Sequence, residues 1–159
     1  MLNVNIIAVG KLKESYLRMA CAEYEKRLGA FCRLGIIELA ESRLPEKPSE
    51  KEILSALDEE AQAMEKKLSG AYNIAMCIEG KTLSSEKFSE LITRIPVQGK
   101  STVNIIIGSS YGIADSIKSR ADMRLSMSPM TFPHQLARVM VLEQLYRAFM
   151  IAGGGKYHK

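Results

Sequence analysis

The stretch Met127–Phe149, MSPMTFPHQLARVMVLEQLYRAF, decides how this chain is read. It opens as a short loop holding Pro129 and Pro133 and then turns into an unbroken helical pattern. Pro133 suits the first turn of a helix, where no backbone N–H is needed. Thr131, just ahead of it, offers a hydroxyl for the N-cap. Val139, Leu142, Tyr146 and Phe149 recur at spacings of three and four, which predicts one apolar face. The helix is apolar on more than one side from Val139 to Leu145, which suits a contact surface as well as a core.

Outward from that helix, the rest of the chain alternates. Val4–Val9 is a short β-branched run closed by Gly10, which predicts a buried strand. A helix is expected from Glu14 to Leu28, with Leu17, Ala20, Tyr24 and Leu28 on its inner face and Gly29 as its stop. Leu34–Leu39 predicts a second strand, and Pro45 and Pro48 break the polar loop after it. Ser49 and Glu52 form a capping box for a long helix with Ile53, Leu57, Ala61, Met64 and Leu68 in one stripe, closed by Gly70. Tyr72–Ile78 predicts a third strand. Ser84 or Ser85 then caps a helix carrying Phe88, Leu91, Ile92 and Ile95, with Pro96 as its end. Thr102–Ile107 is the most strand-like run. A short helix over 113–120, a fifth strand over Met123–Met127 and the last helix complete the order. Such alternation predicts an α/β fold: a mainly parallel sheet with helices on both faces, in a single domain over residues 1–159.

Composition narrows the class of function. Of 159 residues 47% are hydrophobic and 25% charged, a globular balance, and the net charge of +4 permits an RNA partner without demanding one. Three cysteines, Cys21, Cys32 and Cys77, form no CxxC pair and suit reduced thiols. The start, MLNVNIIAVGKLK, does not read as a secretory leader, and no apolar run approaches the roughly 20 residues of a membrane span. A cytoplasmic protein is expected, with no membrane and no metal; the two histidines, His134 and His158, lie far apart.

Ligands of open α/β sheets lie outside the carboxyl ends of strands. Three loops leave those ends in the second half: Glu79-Gly80-Lys81, Gly108 to Gly112, and Ser128 to Pro133. They promise a pocket of main-chain donors and acceptors. Simpler readings compete at each. Gly80-Lys81-Thr82 mimics the end of a phosphate loop, but the full motif needs glycine where Ala75 stands. Gly108–Gly112 is GxxxG, a tight turn before it is a cofactor cradle. Ser109 and Ser110 lack His and Asp partners for a hydrolase. His134 reads first as a capping or packing residue. The tail, Gly153-Gly-Gly-Lys-Tyr-His-Lys, is either a frayed end or an RNA contact: Tyr157 could stack on a base, Lys156 and Lys159 could meet phosphates, and His158 could handle a proton.

Several blocks, in order, carry a resemblance: Ala8-Val-Gly-Lys, Glu23-Tyr-Glu-Lys-Arg-Leu, Ile78-Glu-Gly-Lys, Ile107-Gly-Ser-Ser-Tyr-Gly, the SPMTFPHQ loop with Glu143-Gln-Leu-Tyr-Arg-Ala-Phe, and Tyr157-His-Lys. Together they resemble the large-subunit ribosomal RNA methyltransferase H family, SPOUT-class α/β-knot enzymes. The resemblance implies a trefoil knot near the C-terminus, a homodimer, and methyl transfer from S-adenosylmethionine to N3 of a pseudouridine in 23S ribosomal RNA on the assembled 70S ribosome. Carried over by position, it implies cofactor contacts at Met76, Gly80, Gly108, Met127, Ser128, Pro129, Met130, Thr131 and Phe132, and a substrate side at Arg147, Tyr157 and His158. One departure stands out: many members carry Gly-Gly where this chain has Gly108-Ser109. A SPOUT ribose 2′-O-methyltransferase, a non-catalytic ribosome-binding module and a nucleotide-binding regulator are the competing expectations.

Overall fold

A computed structural model describes residues 1–157. Five strands and five helices alternate: β1 (Asn3–Val9), α1 (Ser15–Leu28), β2 (Arg33–Leu39), α2 (Glu50–Leu68), β3 (Tyr72–Thr82), α3 (Ser85–Val97), β4 (Thr102–Ile107), α4 (Asp115–Arg120), β5 (Met123–Ser126) and α5 (His134–Ala152). The sheet is parallel throughout, in the order β2-β1-β4-β3-β5.

Strand alternation sorts the core into two layers. Ile6, Ile74, Ile105 and Leu125 face one side, where they meet α1, α3 and α5 through residues such as Cys21, Ile92 and Leu142. Ile7, Ala75 and Ile106 face the other and meet Met64 of α2 and Ile117 of α4. The central strands are buried on both sides, so they read as continuous apolar runs.

One polar row crosses this core. Gly35, Asn5, Asn104 and Asn73 stand in register on four neighbouring strands. Asn5 Nδ2 donates to Asn104 Oδ1 at 3.0 Å, and Asn104 Nδ2 donates to Asn73 Oδ1 and to the Lys67 carbonyl, each at 2.9 Å. A Cβ on Gly35 would lie 2.8 Å from Asn5 Oδ1, so the missing side chain makes room for the row.

The helix ends follow expectation at α2 and at the start of α3 and depart from it elsewhere. Both halves of the Ser49–Glu52 capping box form, each at 3.1 Å, and Ser84 rather than Ser85 caps α3. Pro96 lies inside the last turn of α3 rather than ending it. Gly29 closes α1 in an ordinary right-handed conformation, whereas Gly70, at φ +78°, follows α2 in the left-handed region. At α5, Pro133 itself is the N-cap and Thr131 makes no capping bond. Pro133 holds ψ at 137°, so the helix can begin only at the next residue.

The buried face of α5 also shifts. Arg138, Val141, Leu142, Leu145 and Ala148 are buried, while Val139, Tyr146 and Phe149 of the expected stripe are half-buried. The helix packs against both α1 and α3, so it needs two apolar sides. The side towards α1 is aromatic: Phe31 stacks on Phe149 with ring centroids 5.8 Å apart, and Tyr24 and Phe31 both reach Tyr146. Arg138, 3% exposed, is held by Glu38 at 2.7 Å and by the Gly10 carbonyl at 3.1 Å. Among the described residues, no helix is long and apolar enough to cross a membrane.

Candidate functional site

The carboxyl ends of β3, β4 and β5 converge on one cleft, and each arrives by a distinct backbone device. β3 runs in register to Met76 and then leaves it, because Met76 and Lys81 both pair with Leu125 and the residues between are looped out. Gly80 lets the chain return: a Cβ there would lie 2.8 Å from the main chain of Arg124 and Leu125. β4 empties into Gly108, where a Cβ would meet the Gly112 carbonyl at 2.1 Å. That turn is closed by Gly112 N–H donating to the Ser109 carbonyl at 2.9 Å, and Tyr111 N–H donates to Ser109 Oγ at 3.3 Å. Beyond β5, Ser126 Oγ donates to the Ser128 carbonyl at 3.0 Å, and Met130 N–H donates to Ser128 Oγ at 3.0 Å.

The cleft between these loops encloses about 340 Å³. Of the expected cofactor residues, Met76, Gly108, Met127, Ser128, Met130, Thr131 and Phe132 line it. Gly80 and Pro129 are not among the lining residues: Gly80 packs on the β5 backbone instead. Sequence reasoning did not single out Cys77, Lys118 and Ala137, which also line it. Cys77 is placed by the register slip of β3 and Lys118 by the pitch of α4, neither of which a residue pattern encodes. A second cavity of about 350 Å³ lies between α3 and α5, sharing Met76, Ser126 and Met127 with the first.

Ser109, the departure from Gly-Gly, is 8% exposed and stands over Glu60 of α2, which is 4% exposed. Glu60 accepts the Ser42 N–H at 3.1 Å. Burial pushes its carboxyl up from the usual range; the Ser42 amide and the Ser109 hydroxyl pull in the other direction. Its Oε1 closes no full hydrogen bond among the described residues.

The expected substrate residues gather elsewhere, at the far end of α5. Arg147 binds Glu143 through Nε at 3.1 Å and Nη2 at 2.7 Å, and Tyr157 OH donates to the same carboxylate at 3.1 Å. The guanidinium lies 4.7 Å from the Tyr157 ring centroid, and Tyr146 meets that ring edge-on at 4.9 Å. Burial, with hydrogen bonds to Tyr24 and Glu143, pushes the Tyr157 phenol up to about 12. Gln144 continues the network: it donates to Glu143 at 2.9 Å and accepts from Ser85 at 2.7 Å. His158 lies outside the described residues. Helical rise puts Arg147 about 20 Å along α5 from His134 at the cleft.

Comparison with known proteins adds the family. A family described as "Predicted SPOUT methyltransferase" matches residues 2–158. A ribosomal RNA large subunit methyltransferase H of Streptococcus equi subsp. zooepidemicus is 47% identical over 159 residues, covering 99% of this chain and 100% of that protein. This chain belongs to the ribosomal RNA large subunit methyltransferase H family of SPOUT methyltransferases. The family member of the same name from Bacillus pumilus is 46% identical with the same coverage. Solved structures share the fold at low identity. A probable methyltransferase from Bordetella pertussis aligns with TM-score 0.58 at 14% identity, over 92% of this chain and 95% of that one. A tRNA (m1G37) methyltransferase from Aquifex aeolicus aligns with TM-score 0.52 at 13% identity, over 92% and 69%. The architecture is therefore the SPOUT α/β knot, with the threaded segment near the C-terminus.

Proposed function

We propose that this chain is an S-adenosylmethionine-dependent methyltransferase that modifies N3 of a pseudouridine in large-subunit ribosomal RNA, on the assembled ribosome in the cytoplasm, as a homodimer. One observation carries the reading. Seven of the nine cofactor residues that the family resemblance points to, Met76, Gly108, Met127, Ser128, Met130, Thr131 and Phe132, wall a single cleft outside the carboxyl ends of the strands.

That cleft fits an adenosyl sulfonium. Its volume is in the range of about 300–1,000 Å³ that small-molecule sites occupy. Met76, Met127, Met130 and Phe132 supply apolar, polarisable walls, and the turns supply bare main chain for polar edges. Among the described residues, no group of three or more His, Cys, Asp or Glu is placed to hold a metal ion. S-adenosylmethionine supplies, when bound, a methyl group already activated on a positive sulfur. The chain has only to exclude water, align donor and acceptor, and take charge of one proton. In this reading His158 accepts the N3 proton, and Arg147 and Tyr157 face the uracil oxygens and ring.

The distance between the two sets of residues supports a second copy in the site. With Arg147 about 15–20 Å along α5 from the cleft residues Ala137 and His134, and Tyr157 packed on it, a partner's tail supplies them. The remaining half-buried and exposed apolar side chains of α5, Leu136 and Met150 among them, provide surface for that contact.

The test offers tritiated methyl donor to isolated subunits, 70S ribosomes and naked ribosomal RNA, then digests the product to nucleosides. Label on the base of a pseudouridine from 70S ribosomes is the expected result. Label on a ribose oxygen makes this a 2′-O-methyltransferase; no label with normal donor binding makes it a binding module.

A further inference from the structure

The cleft carries a pair of charges that the reading above leaves without a task. Among the described residues lining it, Glu79 is the only carboxylate and Lys118 the only ammonium. Glu79 lies in the looped-out part of β3, and Lys118 sits on α4 beside the fully buried Ile117. Lys118 Nζ donates to Glu79 Oε1 across the gap between those elements. The Lys118 side chain is only 16% exposed, while that of Glu79 is 48% exposed. Lys118 is therefore an ammonium largely withdrawn from water with one acceptor among the described residues. An ammonium has three N–H groups to give, and a carboxylate can accept about four hydrogen bonds. The pair holds unused capacity of both signs at the lip of the cleft.

We propose that Glu79 and Lys118 bind the amino-acid end of the methyl donor, Lys118 taking its α-carboxylate and Glu79 its α-ammonium. This rests on the cleft being the donor site. The two ligand charges sit on one carbon, so a neighbouring acid–base pair can meet both at once, and the four charges then alternate in sign. In the ligand-free chain each partner neutralises the other, which lets Lys118 remain where little water reaches it. Lys118 also holds the Glu79 carboxyl below its usual range, helped by Arg124, so the acid is charged at neutral pH. The nucleoside part of the donor needs neither charge. The apolar walls and main chain hold it, and the pair selects for a ligand that keeps its amino-acid tail.

Two nucleosides separate these parts. S-adenosylhomocysteine keeps the amino-acid end, and 5′-methylthioadenosine lacks it. Calorimetry on the full-length protein measures both ligands against wild type, Lys118→Met, Glu79→Gln and Lys118→Arg. Lys118→Met is expected to weaken S-adenosylhomocysteine about tenfold or more, the scale of one lost charge-assisted hydrogen bond. It should change 5′-methylthioadenosine less than about twofold, within the experimental meaning of no charged contact. Glu79→Gln should show the same selectivity with a smaller loss, and Lys118→Arg should recover part of the affinity. Equal losses for both ligands would mean that the pair only braces the β3 loop and would overturn the assignment. Unchanged S-adenosylhomocysteine binding by Lys118→Met would overturn it while leaving the donor site standing. Wild type binding neither nucleoside would overturn the donor site and this assignment together.

Discussion

At the scale of single residues, two positions show how the cleft depends on groups outside its lining. Gly80 is needed for what lies beside it. A methyl group there would press on the Arg124 and Leu125 main chain, which cannot rotate away as a side chain would. Gly80→Ala should lower the unfolding free energy by about 1–3 kcal/mol, the usual cost of overpacking, and weaken donor binding as the β3 loop is displaced. Denaturant melts and a donor titration check it; wild-type values for both would mean that the β5 backbone yields. Glu60 is the second position. Its carboxyl is raised by burial, so the folded state holds its proton more tightly than the unfolded chain does. The stability it contributes is complete below the unfolded carboxyl value, about 4.3 for Glu, and is lost as pH rises through the folded value. Glu60→Gln keeps the shape and removes that loss. The Tm of the variant minus that of wild type should therefore climb from pH 4 upwards and then level off. A difference that is flat with pH would show that Glu60 is not the titrating group. The loop residues of this site were legible because strand-end loops follow from strand order. The buried acid was not: Glu60 closes the acidic run Asp58-Glu59-Glu60, yet helical spacing sets it beside Leu57 and Met64 of the apolar stripe, where Ser42 and Ser109 pack over it.

At the scale of elements, every strand and helix was legible in order, because period-2 and period-3.6 patterns are local. What misled was tertiary. α5 reads as apolar on more than one side from Val139 to Leu145, which suits a contact surface, but both sides pack within the chain, against α1 and α3, and an arginine is buried with them. β3 reads as ending at Ile78, but it resumes pairing with β5 at Lys81, which no local pattern announces. The asparagine row is a third case. Asn5, Asn73 and Asn104 look like interruptions of three strands, yet they are each other's partners and fix the strands in register, since a one-residue slip would bury every amide unpaired. Asn104 is fully buried, and removing its side chain strands Asn5 Nδ2, Asn73 Oδ1 and the Lys67 carbonyl. Asn104→Ala should cost more than the roughly 1–3 kcal/mol of one unsatisfied buried group. Chemical denaturation measures it. A loss below about 1 kcal/mol would mean that water enters to replace the amide.

At the scale of the whole molecule, the direction of α5 decides how a site can be assembled. It begins at the cleft and carries Arg147, with Glu143 and Tyr157 against it, about 15–20 Å further along, so under the proposed function one chain holds the two halves of its site apart. Rotating side chains cannot close that distance. Two copies can, if each lays its tail over the other's cleft, and subunit mixing tests the geometry directly. Phe132→Ala strips an apolar wall from the cleft, and Arg147→Ala strips the substrate side; each alone should be nearly inactive. A mixed dimer has one intact site if the halves are contributed in trans, because the Arg147→Ala chain brings a sound cleft and the Phe132→Ala chain a sound tail. With half of the dimers mixed and one of two sites working in each, an equal mixture should recover about a quarter of wild-type activity after subunit exchange, the statistical value for a two-fold symmetric pair. If the site is built in cis, every site in the mixture carries a lesion and activity stays at the level of the separate variants. The same experiment run before exchange is complete should show activity rising with time, since recovery then follows the rate at which dimers come apart.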